Sequence, residues 1–436
     1  MIEQPPSLRM NAQSISKAFS LMNSDEGREL IQSINEKYLY WDKVKYRPIS
    51  EKYGAVDLWH AVKVSRSVHA KQLRFGNYSF IFNTTDWILQ VLHEIDLNFA
   101  GTLGATGAIT EEDKQRYLIS SIMEEAIASS QMEGASTTRK KAKEMLRNEE
   151  KPRNKSDQMI VNNYNTIRHI VQNKQEKLTL DRLLEVHALM AYNTLDDKLE
   201  EGCFRTTNDI YVVNHSDSEV VHTPPHFKDI PQLIDGLCDF FNNDNPHLFI
   251  HPIVKGIIIH FMMGYIHPFT DGNGRTARAL FYWYLLSKGY WMTEYLSISR
   301  LIAKSKNQYE KAYLYTENDG NDLTYFITYN LKTMSLAYAE LKSYIERKVR
   351  EKQSTVVFQK LPLVNERQAE ILRLLYNNGD LRFTVKEIQN RFIVSNQTAR
   401  TDLQGLMSIG YLDLVQVNGK KTAFIKGPKF VDLLNE

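Results

Sequence analysis

From about Ile88 to Leu146, apolar residues return every three or four positions, the period of helices with one buried face. Thr110-Glu111-Glu112-Asp113 predicts a capped helix start, with acids at the positive helix end. That helix runs through YLISSIMEEAIASSQMEG and stops at Gly134. Further helical runs follow in KSDQMIVNNYNTIRHIVQN, LTLDRLLEVHALMAYNT and DIPQLIDGLCDFFNN. The most apolar stretch, FIHPIVKGIIIHFMMGYIHPF, is broken by His251, Pro252, Lys255 and His260, so it reads as a buried helix rather than a membrane span. RTARALFYWYLLSKG begins another helix. In this helical middle the exception is DIYVVNHSDSEVVHTPP, from Asp209 to Pro225, where two β-branched runs flank a polar turn and predict a hairpin.

Beyond a long helix from about Leu323 to Lys352, the segment KQSTVVFQKLP reads as a linker and the pattern changes. NERQAEILRLLYNNG, TVKEIQNRF and SNQTARTDLQGLMSIGYL predict three helices, and Asn418-Gly419 in DLVQVNGKKTAFIKG is a strong hairpin signal. The first hundred residues are rich in aromatics and read as ordered and mostly helical, without a legible role.

With 436 residues, two or three domains are expected. Hydrophobic residues at 42% and charged residues at 24% fit a globular chain, not a disordered or fibrous one. A net charge of +2 supplies no global pull toward nucleic acid or membrane. Two cysteines, Cys203 and Cys238, exclude a disulfide framework and a cysteine-rich zinc site, and suit a reducing cytoplasm. The N-terminal MIEQPPSLRMNAQS does not read as a secretory signal, and the expectation is a cytoplasmic protein.

The densest chemistry lies in HPFTDGNGRTAR, from His267 to Arg278. Asp271-Gly272-Asn273-Gly274-Arg275 sits between two predicted helices. Its glycines let backbone N–H groups converge, and the following helix N-terminus adds orphan donors, which together make an anion nest suited to phosphate. Arg275 and Arg278, three residues apart, share a helix face and can fork onto phosphate oxygens. Asp271 offers the hard oxygen that Mg²⁺ takes when it also holds substrate phosphates. His267 is placed to accept a proton from an incoming hydroxyl near neutral pH.

HPFTDGNGRTAR resembles the signature of the Fic family, H-P-F-x-D/E-G-N-G-R-x-x-R, at every specified position. The resemblance extends over the helical middle, about residues 110 to 340. It implies a mostly α fold with a Fic-type helical core and a β-hairpin flap, and transfer of AMP from ATP, with Mg²⁺, to a Ser, Thr or Tyr hydroxyl of a target protein. On that resemblance His267 is the general base, Asp271 holds the magnesium, and Gly272, Asn273 and Gly274 cradle the phosphates. Arg275 stabilises the departing pyrophosphate, Arg278 binds the γ-phosphate, and Phe269 is a buried anchor. The hairpin becomes the target-binding flap, with Val220, Val221 and His222 as its inner edge. SSQMEG resembles the family's inhibitory motif S/T-x-x-x-E-G/N. Ser129 and Glu133 lie four apart on one helix face, and on that resemblance Glu133 would pair with Arg278 and block a productive γ-phosphate pose.

The expected domains are an N-terminal helical region 1–109, a Fic catalytic domain 110–345 with its inhibitory helix at about 118–134, a linker 346–362, and a winged helix-turn-helix domain 363–436. The last rests on its three helices and hairpin, with Asn396, Gln397, Thr398 and Arg400 at the start of a recognition helix capped by Ser395. Arg382, Lys386, Arg391, Arg400, Lys420, Lys421, Lys426 and Lys429 make this region locally basic, with Lys420 and Lys421 at the wing tip. Such modules take DNA or protein partners. Three readings therefore stand beside the first: another nucleotide donor, removal of AMP from a target, and a DNA-binding regulator whose core senses nucleotide. No membrane partner is expected, and a homo-oligomer stays open. His247, His251 and His260 lack metal-site spacing and read as core histidines, and Gly202-Cys203-Phe204-Arg205 reads as structural.

Overall fold

The computed structural model describes residues 2–9, 11–97, 111–213, 220–290, 297–377, 381–392, 394–418 and 421–432. It is mostly helical, and among the described residues its sheets are three two-stranded hairpins. The chain divides into two compact units, Met1–Leu341 and Lys342–Glu436.

The first unit opens with α1 (Ala12–Asn23), α2 (Asp25–Glu36), α3 (Trp41–Val44) and α4 (Ala55–His69), followed by a hairpin of β1 (Lys71–Phe75) and β2 (Tyr78–Phe82), and α5 (Asp86–Leu97). The hairpin is the non-helical part of a region expected to be mostly helical. Its alternation is short, and the two-residue Gly76-Asn77 loop, with Gly76 at φ 52°, is the turn signal that marks it. Phe75, Phe80 and Phe82 project from it into the main core, where Phe80 lies 6.1 Å from Phe261 edge to face. The hairpin and α5 therefore share a core with helices that come later in the unit.

Next come α6 (Glu111–Met132), α7 (Arg139–Arg147), α8 (Lys155–Gln172) and α9 (Leu180–Ala191), then the predicted hairpin as β3 (Val212–Val213) and β4 (Val220–His222). The expected Thr110 cap and the hairpin's polar turn lie outside the described residues. α6 ends as anticipated. Gly134 takes φ 96°, and Ala135 N–H bonds back to Ser130 O at 3.0 Å, the wrap that closes a helix on glycine.

α10 (Ile230–Asn242) leads to α11 (Pro252–Ile266), whose Ile257, Ile258, Ile259, Phe261, Met262 and Met263 are all buried. A helix apolar on every side needs neighbours on every side. α12 (Asn273–Ser287) packs along it, and α13 (Ile298–Lys304) and α14 (Lys306–Asn318) follow before α15 (Thr324–Gln359). No described helix is long and apolar enough to cross a membrane. The segment read as a linker, 346–362, is helical through Gln359.

The second unit contains the end of α15, α16 (Glu366–Asn377), α17 (Val385–Phe392), α18 (Asn396–Ile409), the hairpin β5 (Leu412–Asn418) and β6 (Lys421–Lys426), and α19 (Pro428–Asp432). Its core joins Leu372, Ile388, Leu403 and Phe424. Ser395 caps α18 by accepting from Thr398 N–H at 3.1 Å, as its sequence predicts. Lys420 and the side chain of Lys421, expected at the wing tip, lie outside the described residues.

Candidate active site

The loop between α11 and α12 is held in shape by its own residues. His267 ends α11 in the left-handed region, φ 48° and ψ 56°, which a non-glycine residue adopts only under local constraint. Asn273, at the start of α12, donates Nδ2–H to Phe269 O at 2.8 Å and accepts from Phe269 N–H at 2.9 Å. Gly272 caps the helix at φ 83°, and a Cβ there would press to 3.3 Å on His187 Nε2.

Two residues outside the loop complete the scaffold. His187 stacks face to face on buried Phe269 with ring centroids 3.6 Å apart. Its Nδ1 accepts from Gly202 N–H at 3.0 Å, so the proton sits on Nε2, which donates to Asp271 O at 2.9 Å. Burial pushes its pKa down to about 4, which keeps the ring neutral in this role. Arg205 donates Nε–H to His267 O at 2.9 Å and its backbone N–H to Pro268 O at 2.8 Å. The same guanidinium reaches Thr207 O and Pro225 O, one at each foot of the β3–β4 hairpin. It ties the loop to the hairpin.

His267 itself donates Nδ1–H to Gly264 O at 3.2 Å, since a carbonyl can only accept. That leaves Nε2 as the bare nitrogen. Burial lowers its pKa to about 4, with His222 and Arg205 adding to the shift and Glu133 opposing it. At neutral pH the ring is an uncharged proton acceptor.

Around His267 lies a cavity of about 210 Å³. Its lining includes Met132 and Glu133 from the end of α6, Gly274, Ala277 and Arg278 from α12, and Val212, Val213, Val221 and His222 from the hairpin. Tyr309, Tyr313 and Glu317 of α14 close another side. Arg278 is almost fully buried and spends its donors on α6: Nε–H to Ser129 Oγ at 2.9 Å, and Nη2–H to Ser129 O at 3.1 Å and to Glu133 Oε1 at 2.9 Å. The Glu133 carboxylate lies so close over Gly274 that a Cβ there would collide with it. It thus covers the start of α12, where an anion would sit. His222 donates Nε2–H to Tyr265 O at 2.8 Å while Nδ1 faces Glu317 at 2.9 Å, which fastens β4 to α11 and α14.

His267, Gly274, Arg278, Glu133, Val221 and His222 therefore converge on one cavity, with Ser129 directly behind Arg278. Others of the expected set do not line it. Arg275 is wholly buried and donates to Met190 O at 3.2 Å and to Asp271 at 3.4 Å. Asn273 is buried in the loop, and Val220 is 55% exposed. The Asp271 carboxylate is half-exposed, with one oxygen accepting from Gly272 N–H. Its other oxygen faces Arg275 Nη2 at 3.4 Å. Among the described residues no three acidic, His or Cys side chains gather as a metal-binding group.

His187 and the α14 tyrosines are not singled out by the sequence, and Arg205 is read from it only as structural. A histidine on an apolar helix face and two tyrosines at helical spacing carry no distinguishing signal. Arg205 stood in a recognisable segment, but its reach to both feet of the hairpin is a tertiary fact.

Residues 177–285 match the model of the Fic/DOC family, and residues 367–414 match that of the DeoR-like helix-turn-helix domain. The chain is 33% identical over 117 residues to protein adenylyltransferase Fic of Nematostella vectensis, covering 27% of this chain and 25% of that one. To protein adenylyltransferase fic-1 of Caenorhabditis elegans it is 33% identical over 121 residues, covering 28% and 22%. The chain thus spans about a quarter of the length of these curated relatives. A solved structure of Fic-1 from C. elegans aligns with a TM-score of 0.50 at 19% identity, over 77% of this chain and 88% of that one, a likeness of fold.

Proposed function

This chain carries a Fic domain and a DeoR-like helix-turn-helix domain, and from that premise we propose that it is a protein adenylyltransferase held in check by Glu133. The supporting observation is the convergence on one cavity of a neutral His267 and the Glu133–Arg278 pair. A target hydroxyl hands its proton to His267 Nε2 as its oxygen bonds to the α-phosphorus of ATP, and the bond from that phosphorus to the pyrophosphate oxygen breaks. Backbone N–H groups at the start of α12 and the Arg278 guanidinium balance the charge on the leaving pyrophosphate. Asp271, half-exposed on the nest, would hold Mg²⁺ together with the nucleotide phosphates, and the ion would supply charge neutralisation there. β3 and β4 receive an extended segment of the target through Val220, Val221 and His222, which brings its hydroxyl to His267.

Inhibition follows from charge and space. While Glu133 holds Arg278 at 2.9 Å, the guanidinium is unavailable to a γ-phosphate, and the carboxylate over Gly274 repels a polyphosphate. The test incubates the chain and a target-containing extract with magnesium and ATP labelled at the α- or γ-phosphate. Label from the α-position, raised by Glu133→Gly and abolished by His267→Ala, is expected. Label from the γ-position alone, or none from either in any variant, would sink the proposal.

The second unit adds a DNA-binding reading, carried by exposed Asn396, Gln397 and Arg400 at the start of α18. Full-length chain should retain duplex DNA at low salt and lose it with Arg400→Ala. Retention unchanged by that substitution, or no retention at all, would remove this reading.

A further inference from the structure

α6 presents Glu125, Ser129 and Glu133 at four-residue spacing, hence on one face, and the last two lie on Arg278. Glu125 is the unexplained member. It is 3% exposed, an unusual place for a carboxylate, and among the described residues it forms no direct ion pair. Its burial is instead compensated by the start of α13. Glu125 Oε2 accepts from Ser299 N–H at 3.0 Å and from Ser297 Oγ–H at 3.3 Å, and Oε1 accepts from Ser299 Oγ–H. Tyr282 adds a further hydrogen bond, and the positive charge of Arg278 also favours the carboxylate.

We propose that Glu125 is a positioning residue, a latch that fastens α6 to α13 and so keeps Ser129 and Glu133 seated on Arg278. Glu125 lies two turns before Glu133, about 12 Å along the axis, so a tilt at the latch is carried straight to the helix end. The other side of α6 has only neutral ties, Ser130 Oγ–H to Met159 O at 3.2 Å and Asn163 Nδ2–H to Ala126 O at 3.3 Å. Glu124 meets Arg139 and Lys143 of α7 nearer the surface, where screening weakens such pairs. The grip of the α13 start on Glu125 is therefore a buried, charge-assisted tether of this helix separate from its contacts with Arg278. It adds a second control point, on α6 but outside the cavity, whose state sets how readily Glu133 leaves Arg278.

The inference rests on inhibition by Glu133, and the experiment separates the two. Transfer from α-labelled ATP is compared in the unaltered chain, Glu125→Ala, Glu125→Gln, Glu133→Gly and Glu125→Ala/Glu133→Gly, alongside amide exchange over residues 126–132. Glu125→Ala should raise transfer about tenfold, the scale of losing one buried hydrogen-bonded group, and speed exchange in the last two turns of α6. Glu125→Gln can still accept from Ser299 N–H and donate to Ser299 Oγ, so it should stay near the unaltered chain. Glu125→Ala should add nothing once Glu133 is gone.

If Glu133→Gly leaves transfer unchanged, inhibition itself falls, and the latch with it. If Glu133→Gly activates but Glu125→Ala neither activates nor speeds exchange, or adds its gain on top of Glu133→Gly, the latch alone is overturned. Should Glu125→Ala unfold the chain, Ser299→Ala decides: a rise in transfer supports the latch, and an unchanged level overturns it.

Discussion

Arg278 Nη2 lies 2.9 Å from Glu133 Oε1, while Nε of the same guanidinium is held at 2.9 Å by Ser129 Oγ, one helical turn earlier on α6. Ser129→Ala removes one charge-assisted hydrogen bond, on the order of 1.5–3 kcal/mol where water is excluded, and leaves the ion pair in place. Transfer of α-label should rise by about tenfold and remain below the level of Glu133→Gly. Equal activation by the two substitutions would mean that the ion pair contributes nothing of its own.

Gly274 offers a test of geometry through stability. Alanine in the first turn of α12 would ordinarily favour the helix by up to about 1 kcal/mol. Here its Cβ collides with the Glu133 carboxylate and stands 3.2 Å from Arg278 Nη1. Gly274→Ala should therefore lower the unfolding temperature of the unaltered chain and lower it less, or raise it, in a Glu133→Gly background. Thermal unfolding of the four variants checks this, and an identical shift in both backgrounds would contradict the placement of Glu133.

Arg205 holds the carbonyl of His267 and both feet of the β3–β4 hairpin. Arg205→Ala should cut the turnover of a Glu133→Gly chain by about a hundredfold, the scale of misplacing reacting groups, with a much smaller change in KM for ATP. Arg205→Lys should not rescue it, because a single ammonium cannot serve three carbonyls in a plane. Steady-state kinetics at saturating target would show the split.

Acid should act in two ways. His187 and His267 have pKa values lowered to about 4 and His260 to about 3, all chiefly by burial. The unfolded chain binds protons at these positions below its ordinary histidine value near 6.5, and the folded chain resists them. Stability should therefore be insensitive to these groups above pH 6.5 and fall as pH drops from there toward 4. Denaturant melts between pH 8 and 4.5 measure it, and replacing buried His260 with a neutral residue of similar size should flatten the decline. Turnover that depends on neutral His267 should stay level through the neutral range and decline only in acid. A midpoint near 6.5 would mean that His267 is not shielded in the working enzyme.

Much of this was readable from residue pattern, for identifiable reasons. α8, α9, α10 and α18 carry clear periodicity, and Gly134 and Ser395 stop and start helices through local chemistry that any context respects. The twelve residues from His267 to Arg278 form a local loop, so their proximity to one another needed no fold. Their division of labour did. Nothing in the spacing distinguishes Arg278, which faces the cavity, from Arg275, which is buried against Met190 O. His187 and Arg205 reach the loop from about 60 to 85 residues away in the chain, and such partners become visible only when α9 and the hairpin fold over α11 and α12. The β1–β2 hairpin was hidden because its strands sit among helices, and half of its alternating positions meet the core of another segment.

The side chain of Asn273 closes on the backbone of Phe269 from both directions, and neither bond involves a ligand. The loop between α11 and α12 is thus held by its own side chains, so on the proposed function nucleotide association orders little backbone and sacrifices little chain entropy. Calorimetry of a Glu133→Gly chain should accordingly show a small heat-capacity change for nucleotide binding, close to that of closing one cavity rather than of folding a segment. On the proposed function, a prebuilt cradle also means that the unaltered chain is silenced or released by the position of the Glu133 carboxylate alone, with no refolding step between the two states.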